Sequence, residues 1–179
     1  MRIDPEVERP TRDLLGHAIR AEWEEFAVVV QEVGEIRLIE CLGLCLRVAG
    51  YIAIDICGQA WPTRADLREI AQRMAAVELD FDIAESDIYD CLDRSALGFE
   101  SLSDVFPDSK EKVGTVPVLV AATLLVSYRP DGRDWWDYLE QIEQALEIAT
   151  DLTEAVVPAL LLLTRRQRAL KSATTRPDA

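Results

Sequence analysis

The stretch from Ile36 to Cys57, IRLIECLGLCLRVAGYIAIDIC, is apolar on nearly every side of a helical projection. A helix of that kind belongs at the centre of a bundle. Glu40, Arg47 and Asp55 interrupt it, and each would cost about 2.5 to 3.5 kcal/mol at a bilayer centre. The stretch therefore reads as a buried helix of a globular protein, closed by Gly58 and the loop at Pro62. A second apolar run, VPVLVAATLLVSY over 116–128, is too short to cross a membrane, since a span takes about 20 residues. No membrane association is expected.

The remaining segments have one apolar face. Leu15, Ile19, Trp23, Phe26, Val30 and Val33 recur at helical spacing and predict a helix over 12–33, with Thr11 as its N-cap and Gly34 at its end. Thr63 opens the next helix with Asp66 three residues on, a capping box in which Asp replaces Glu, running to about Leu79. Asp80 to Ile83 is a short connector, and a helix follows over 86–97, closed by Gly98. Ser101 to Phe106 predicts a further turn or two, stopped by Pro107, and 108–114 reads as a polar mobile loop. Thr115 and Pro117 are placed to start the 116–128 helix. A long helix begins at Asp134, Pro158 kinks or breaks it, and a last helix reaches about Lys171.

The expected architecture is a single all-α domain over 1–179, a bundle of about six to seven helices. Helices 36–57 and 116–128 lie at its centre, and residues 1–10 and 172–179 are flexible. Its 179 residues, 49% of them hydrophobic, suffice for one core without metal or disulfides. Cys41, Cys45, Cys57 and Cys91 lie in apolar or amphipathic patterns and read as reduced core thiols. No cofactor or metal is expected. The polar N-terminus lacks a secretory pattern, so a cytoplasmic protein is expected.

Charge narrows the partners. Thirty-three Asp and Glu against 19 Lys and Arg give a net charge of -14, which repels nucleic-acid backbones and anionic membranes. The acids concentrate between Glu78 and Asp108, where Arg94 is the sole base. Asp80 and Asp82 start like a calcium loop, but Ala84, Glu85 and Cys91 occupy positions where such a loop needs a ligand, a glycine and a bidentate Glu. Asp87, Asp90 and Asp93 form one face of their helix, and together with Asp80 and Asp82 they are the expected contact for a basic protein partner. The same aspartates exclude the helix pair around them from reading DNA. Beyond Glu154 the balance reverses, with Arg165, Arg166, Arg168, Lys171 and Arg176 against Asp178 alone. That asymmetry permits contact with a second copy of the chain.

Other sets carry residue types that could do chemistry. Glu22, Glu25, Glu32 and Glu35 at ExxE spacing resemble the magnesium-holding helical carboxylates of all-α nucleotide pyrophosphatases, but Glu40 and Asp55 lack the spacing to supply the second pair. Arg12 and His17 stand at Rx4H spacing, which resembles the short signature of HEPN-type ribonucleases. That six-residue resemblance implies an Arg and a His acid/base acting on an RNA phosphate. Arg37, Glu40, Arg47, Tyr51 and Asp55 share a polar stripe on the 36–57 helix, the candidate lining of a small-molecule pocket if it faces inward. Trp135 and Trp136 point about 100° apart on a helix, so one is a candidate interface residue. GxSxG, P-loop, GxGxxG and HExxH motifs are absent.

The first expectation is a non-enzymatic interaction or regulatory protein of immunity, antitoxin or anti-sigma type, presenting an acidic face to a basic partner. A small-molecule sensor built on the polar stripe is second. A metal-dependent or ribonucleolytic enzyme is third.

Overall fold

The computed structural model describes residues 3–58, 60–76, 83–97, 110–130 and 132–149. The described residues form seven helices and no strand, so the protein is an all-α bundle. The helices are α1 (Pro5–Ile19), α2 (Trp23–Val33), α3 (Glu35–Ile56), α4 (Arg64–Ala75), α5 (Glu85–Leu97), α6 (Lys110–Ser127) and α7 (135–149). The chain divides into two compact units. One is Ile3–Glu143; the other comprises 1–2 and 144–179, of which 144–149 is described and helical.

The central role expected for the two apolar helices holds. From Cys41 to Ala53, α3 buries Leu42, Leu44, Cys45, Val48 and Ile52, and it packs against α1, α5 and α6. On α6 every side chain from Val116 to Ala122 is buried, as are Leu124 and Leu125. The amphipathic helices cover this pair. Leu14 and Leu15 come from α1, Leu67, Ile70 and Met74 from α4, Ile88 and Leu92 from α5, and Tyr138, Leu139 and Ile142 from α7. Each such side chain contributes about 1.5 to 3 kcal/mol when fully removed from water. At Gly50 the α3 and α5 backbones come together, for a Cβ there would stand 2.8 Å from the Ser95 carbonyl oxygen.

Several boundaries differ from expectation. The single helix over 12–33 is two helices, parted at Arg20–Glu22. The Glu22 N–H donates to the His17 carbonyl (2.9 Å) and the Ala21 N–H to the Ala18 carbonyl (3.2 Å), with Ala21 at φ 56°. This is a Schellman ending, with alanine at the left-handed position where glycine is usual. Residues 5–10, expected to be flexible, open α1: the Asp4 carboxylate accepts from the Glu6 N–H (2.9 Å), and Pro5 fits the first turn, where no N–H bond is lost. Thr11 is therefore no cap. It is buried mid-helix, donating its hydroxyl to the Val7 carbonyl (2.7 Å).

Residues 110–114, placed in a polar loop, belong to α6, so Thr115 does not cap it and Pro117 lies in its interior. The Thr63–Asp66 capping box forms as read, and its helix ends at Ala75. The Asp80–Asp82 part of the connector, the expected stop at Gly98, the turn at 101–106 with Pro107, the break at Pro158 and the last helix to Lys171 lie outside the described residues.

Candidate partner-binding surfaces

Two short acidic helices differ in how they sit. On α5, Ile88, Cys91 and Leu92 are fully buried. Asp90 is exposed, while Asp87 and Asp93 are half-buried beside that stripe. Cations approach from α4: Arg64 Nε lies 3.6 Å from the Asp93 carboxylate, and the Arg68 guanidinium stands 5.4 Å from the Tyr89 ring centroid. Of the α5 aspartates Asp93 thus stands beside positive charge, and Asp80 and Asp82, expected to join them, lie outside the described residues.

On α2 no residue is buried. Trp23 and Phe26 meet at 6.0 Å in a tilted pair, half-exposed like the rest of the apolar stripe. Glu24, Glu25 and Glu32 project outward, as does Glu35 at the start of α3, and among the described residues none of the four has an ion-pair partner. Gly34, with φ 76° and ψ 161°, joins the helices in a conformation open essentially to glycine alone. The first turns of α3 then expose Ile36 (81%) and Ile39 (52%), which sequence periodicity had assigned to a central helix.

Among the described residues the polar stripe of α3 has separate surroundings along its length. Arg37 donates to Asp4 (3.1 Å), Glu40 (2.9 Å) and Glu6 at the surface, Arg47 is exposed, and Asp55 accepts from the Tyr138 hydroxyl (2.8 Å). Tyr138 is fully buried, and both burial and the adjacent Asp55 push its phenol above the ordinary value. That bond fastens α7 to α3.

Arg12 and His17 also have separate partners. Arg12 Nε donates to both Glu143 oxygens (3.2 and 3.0 Å) and its Nη2 to Glu143 as well, while Glu8 lies 2.8 Å away and the Trp136 ring centroid 5.1 Å away. Glu143 is 4% exposed, and burial pushes its carboxyl above the ordinary value despite the Arg12 bonds. His17 Nδ1 pairs with Glu22 (2.8 Å), which also accepts from Arg20 (2.8 Å); these bonds hold the Glu22 carboxyl below its ordinary value. Trp135 and Trp136 meet edge to face at 5.3 Å, with the first beside Gly16 of α1 and the second 40% exposed. Their neighbour is α1.

No protein-family model, curated protein or solved structure matches this chain.

The thiols are chemically quiet. Burial raises Cys41, Cys45 and Cys57, and pushes Cys91 up to about 12, so none is poised as a thiolate nucleophile. Among the described residues no group of three or more His, Cys, Asp or Glu side chains is placed to hold a metal ion, and no helix is long and apolar enough to cross a membrane. A shallow cleft between the end of α3 and α4 is lined by Cys57, Asp66, Glu69 and Arg73. Its charges are engaged: Asp66 caps α4, and Arg73 pairs with Glu69. What sequence reasoning missed is the exposed apolar start of α3 beside glutamates that have no ion pair among the described residues; the run of Glu at 24, 25, 32 and 35 was its one visible signal.

Proposed function

We propose that the protein works by binding rather than catalysis, presenting acidic surface to a basic protein partner in a regulatory role of immunity, antitoxin or anti-sigma type. One observation carries this reading: Glu24, Glu25, Glu32 and Glu35 are exposed without ion-pair partners among the described residues, next to the exposed apolar side chains Val28, Ile36 and Ile39. Unpaired carboxylates around apolar surface supply the two things a partner needs, electrostatic steering and area to bury. The net charge of -14 sets the sign of that partner.

The test is capture from an extract of the native host at low and at physiological salt. Binding weakens as salt rises, because charges beyond about 8 to 10 Å are screened. Reversal of Glu24, Glu25 and Glu32 to Lys, or of Asp87, Asp90 and Asp93 to Lys, weakens it further and tells which helix the partner meets. Salt-insensitive capture, unchanged by either reversal, rejects the proposal.

A further inference from the structure

One side of α3 is treated differently along its length. Ile36, Ile39, Gly43, Leu46 and Gly50 fall at i, i+3, i+7, i+10 and i+14, on one side of the helix. At Gly50 this side is covered: α5 crosses so closely that the Ser95 carbonyl oxygen takes the place a side chain would need. Seven residues earlier, Gly43 points the same way, yet a Cβ built there meets nothing within 4 Å. Ile36 and Ile39 are exposed and Leu46 is half-buried. The same elements, a glycine flanked by branched apolar side chains, thus recur over the three preceding turns, exposed at Ile36 and Ile39 and half-buried at Gly43 and Leu46.

Its surroundings set the charge of an occupant. Glu32, Glu35 and Glu40 border the stripe, and the Arg37 guanidinium is already shared among Asp4, Glu6 and Glu40. Over 32–47 and the Arg37 partners, Asp4, Glu6, Glu32, Glu35 and Glu40 stand against Arg37 and Arg47, so carboxylates predominate among these residues. Pairing of this face with the same face of a second copy would oppose like charges, whereas a cationic helix would meet complementary ones.

We propose that the stripe Ile36–Ile39–Gly43–Leu46 is a docking site for one amphipathic basic helix of a partner protein, which packs on α3 at Gly43 as α5 packs at Gly50. This rests on the reading above and names the site and the shape of the partner. Apolar anchors of the partner would lie over Ile36 and Ile39 at helical spacing, its Lys and Arg residues would face Glu32 and Glu35, and its backbone would approach Gly43.

The probe is a synthetic 18-residue peptide of leucine and lysine with the leucines on one helical face. A control peptide has the same composition with the leucines scattered. Binding to the full chain is measured by calorimetry and mapped by amide chemical shifts. The amphipathic peptide is expected to bind at least tenfold more tightly than the control, with shifts concentrated over 32–47. Gly43→Leu fills the slot and lowers affinity at least tenfold, while raising the melting temperature because glycine leaves an open helical position. Ile36→Ser with Ile39→Ser, which leaves the charge unchanged, gives a similar loss of affinity.

Shifts centred on Asp87, Asp90 and Asp93, or unchanged binding by Gly43→Leu, overturn the site while leaving an acidic binding protein. Failure of both peptides to bind even at low salt overturns the acidic-surface reading itself. Concentration-dependent dimerisation abolished by Ile36→Ser with Ile39→Ser assigns the face to a second copy and overturns the helix proposal.

Discussion

Helices α5 and α2 are similar in length, amphipathic and acidic, yet they play opposite parts. The α5 helix sinks Ile88, Cys91 and Leu92 into the core, with Arg64 of α4 beside Asp93 and Arg68 beside Tyr89. The α2 helix has no fully buried residue, its apolar stripe lies half-buried against α1, and its glutamates face outward without ion pairs among the described residues. The start of α3 shares the character of α2, just as the end of α3 shares that of α5. The density of carboxylates along a sequence therefore does not rank surfaces for binding. What ranks them is whether each face has neighbours that already neutralise its charge and cover its apolar stripe.

The contrast can be broken most directly by truncation. Leu92→Ala empties a fully buried position and is expected to cost about 3 kcal/mol in denaturant unfolding. Phe26→Ala removes a half-exposed ring from α2 and should cost about 1 kcal/mol, in line with ordinary partly exposed sites. Equal costs would mean that α2 is as firmly covered as α5, and the surface proposed for a partner would not be free.

Charges give the next test. Arg12 serves a carboxylate that is 4% exposed, whereas Arg37 serves Asp4, Glu6 and Glu40 at the surface. Arg12→Met strands Glu143 in the core and should cost about 3 kcal/mol at neutral pH; Arg37→Met should lose little. The pH dependence follows in sign. Burial raises the Glu143 carboxyl above its ordinary value of 4.5, so the folded chain holds this proton where the unfolded chain has released it. The stabilising effect is present below 4.5 and is lost as pH rises through the folded value. Unfolding free energies of the wild type and Glu143→Gln should diverge across that window, with the wild type falling more steeply. Parallel curves would show that Glu143 titrates as though exposed.

The sequence made some of this plain and hid the rest for physical reasons. The bounds of α3 and α5 and the Thr63–Asp66 cap follow from local chemistry, and each falls within a residue or two of its reading. The break at Ala21 was hidden because its left-handed residue is not glycine. The start of α1 was hidden because Pro5 and Pro10 suggest a broken lead-in, although Asp4 caps the helix they begin. Arg12–Glu143 and Asp55–Tyr138 join residues more than 80 positions apart, and no local pattern announces such pairs. The exposed stripe on α3 was hidden by its own hydrophobicity, since periodicity reports an apolar face without saying whether anything packs on it.

Gly50 and Gly43 sharpen the comparison within a single helix. Both are mid-helix glycines on the same side of α3, where alanine is intrinsically favoured by about 1 kcal/mol. Gly50→Ala must push a Cβ against the Ser95 carbonyl oxygen, 2.8 Å away. A backbone atom cannot swing aside as a side chain can, so the helices must part, and a net loss of about 2 kcal/mol is expected. Gly43→Ala meets nothing within 4 Å, so only the propensity gain remains, and unfolding free energy should rise by about 0.5 to 1 kcal/mol. Opposite signs from two identical substitutions seven residues apart would show that α5 ends its cover of α3 between them. If Gly43→Ala instead destabilised the chain, some other segment would have to occupy that slot in the folded protein, and the open turns of α3 would already be filled.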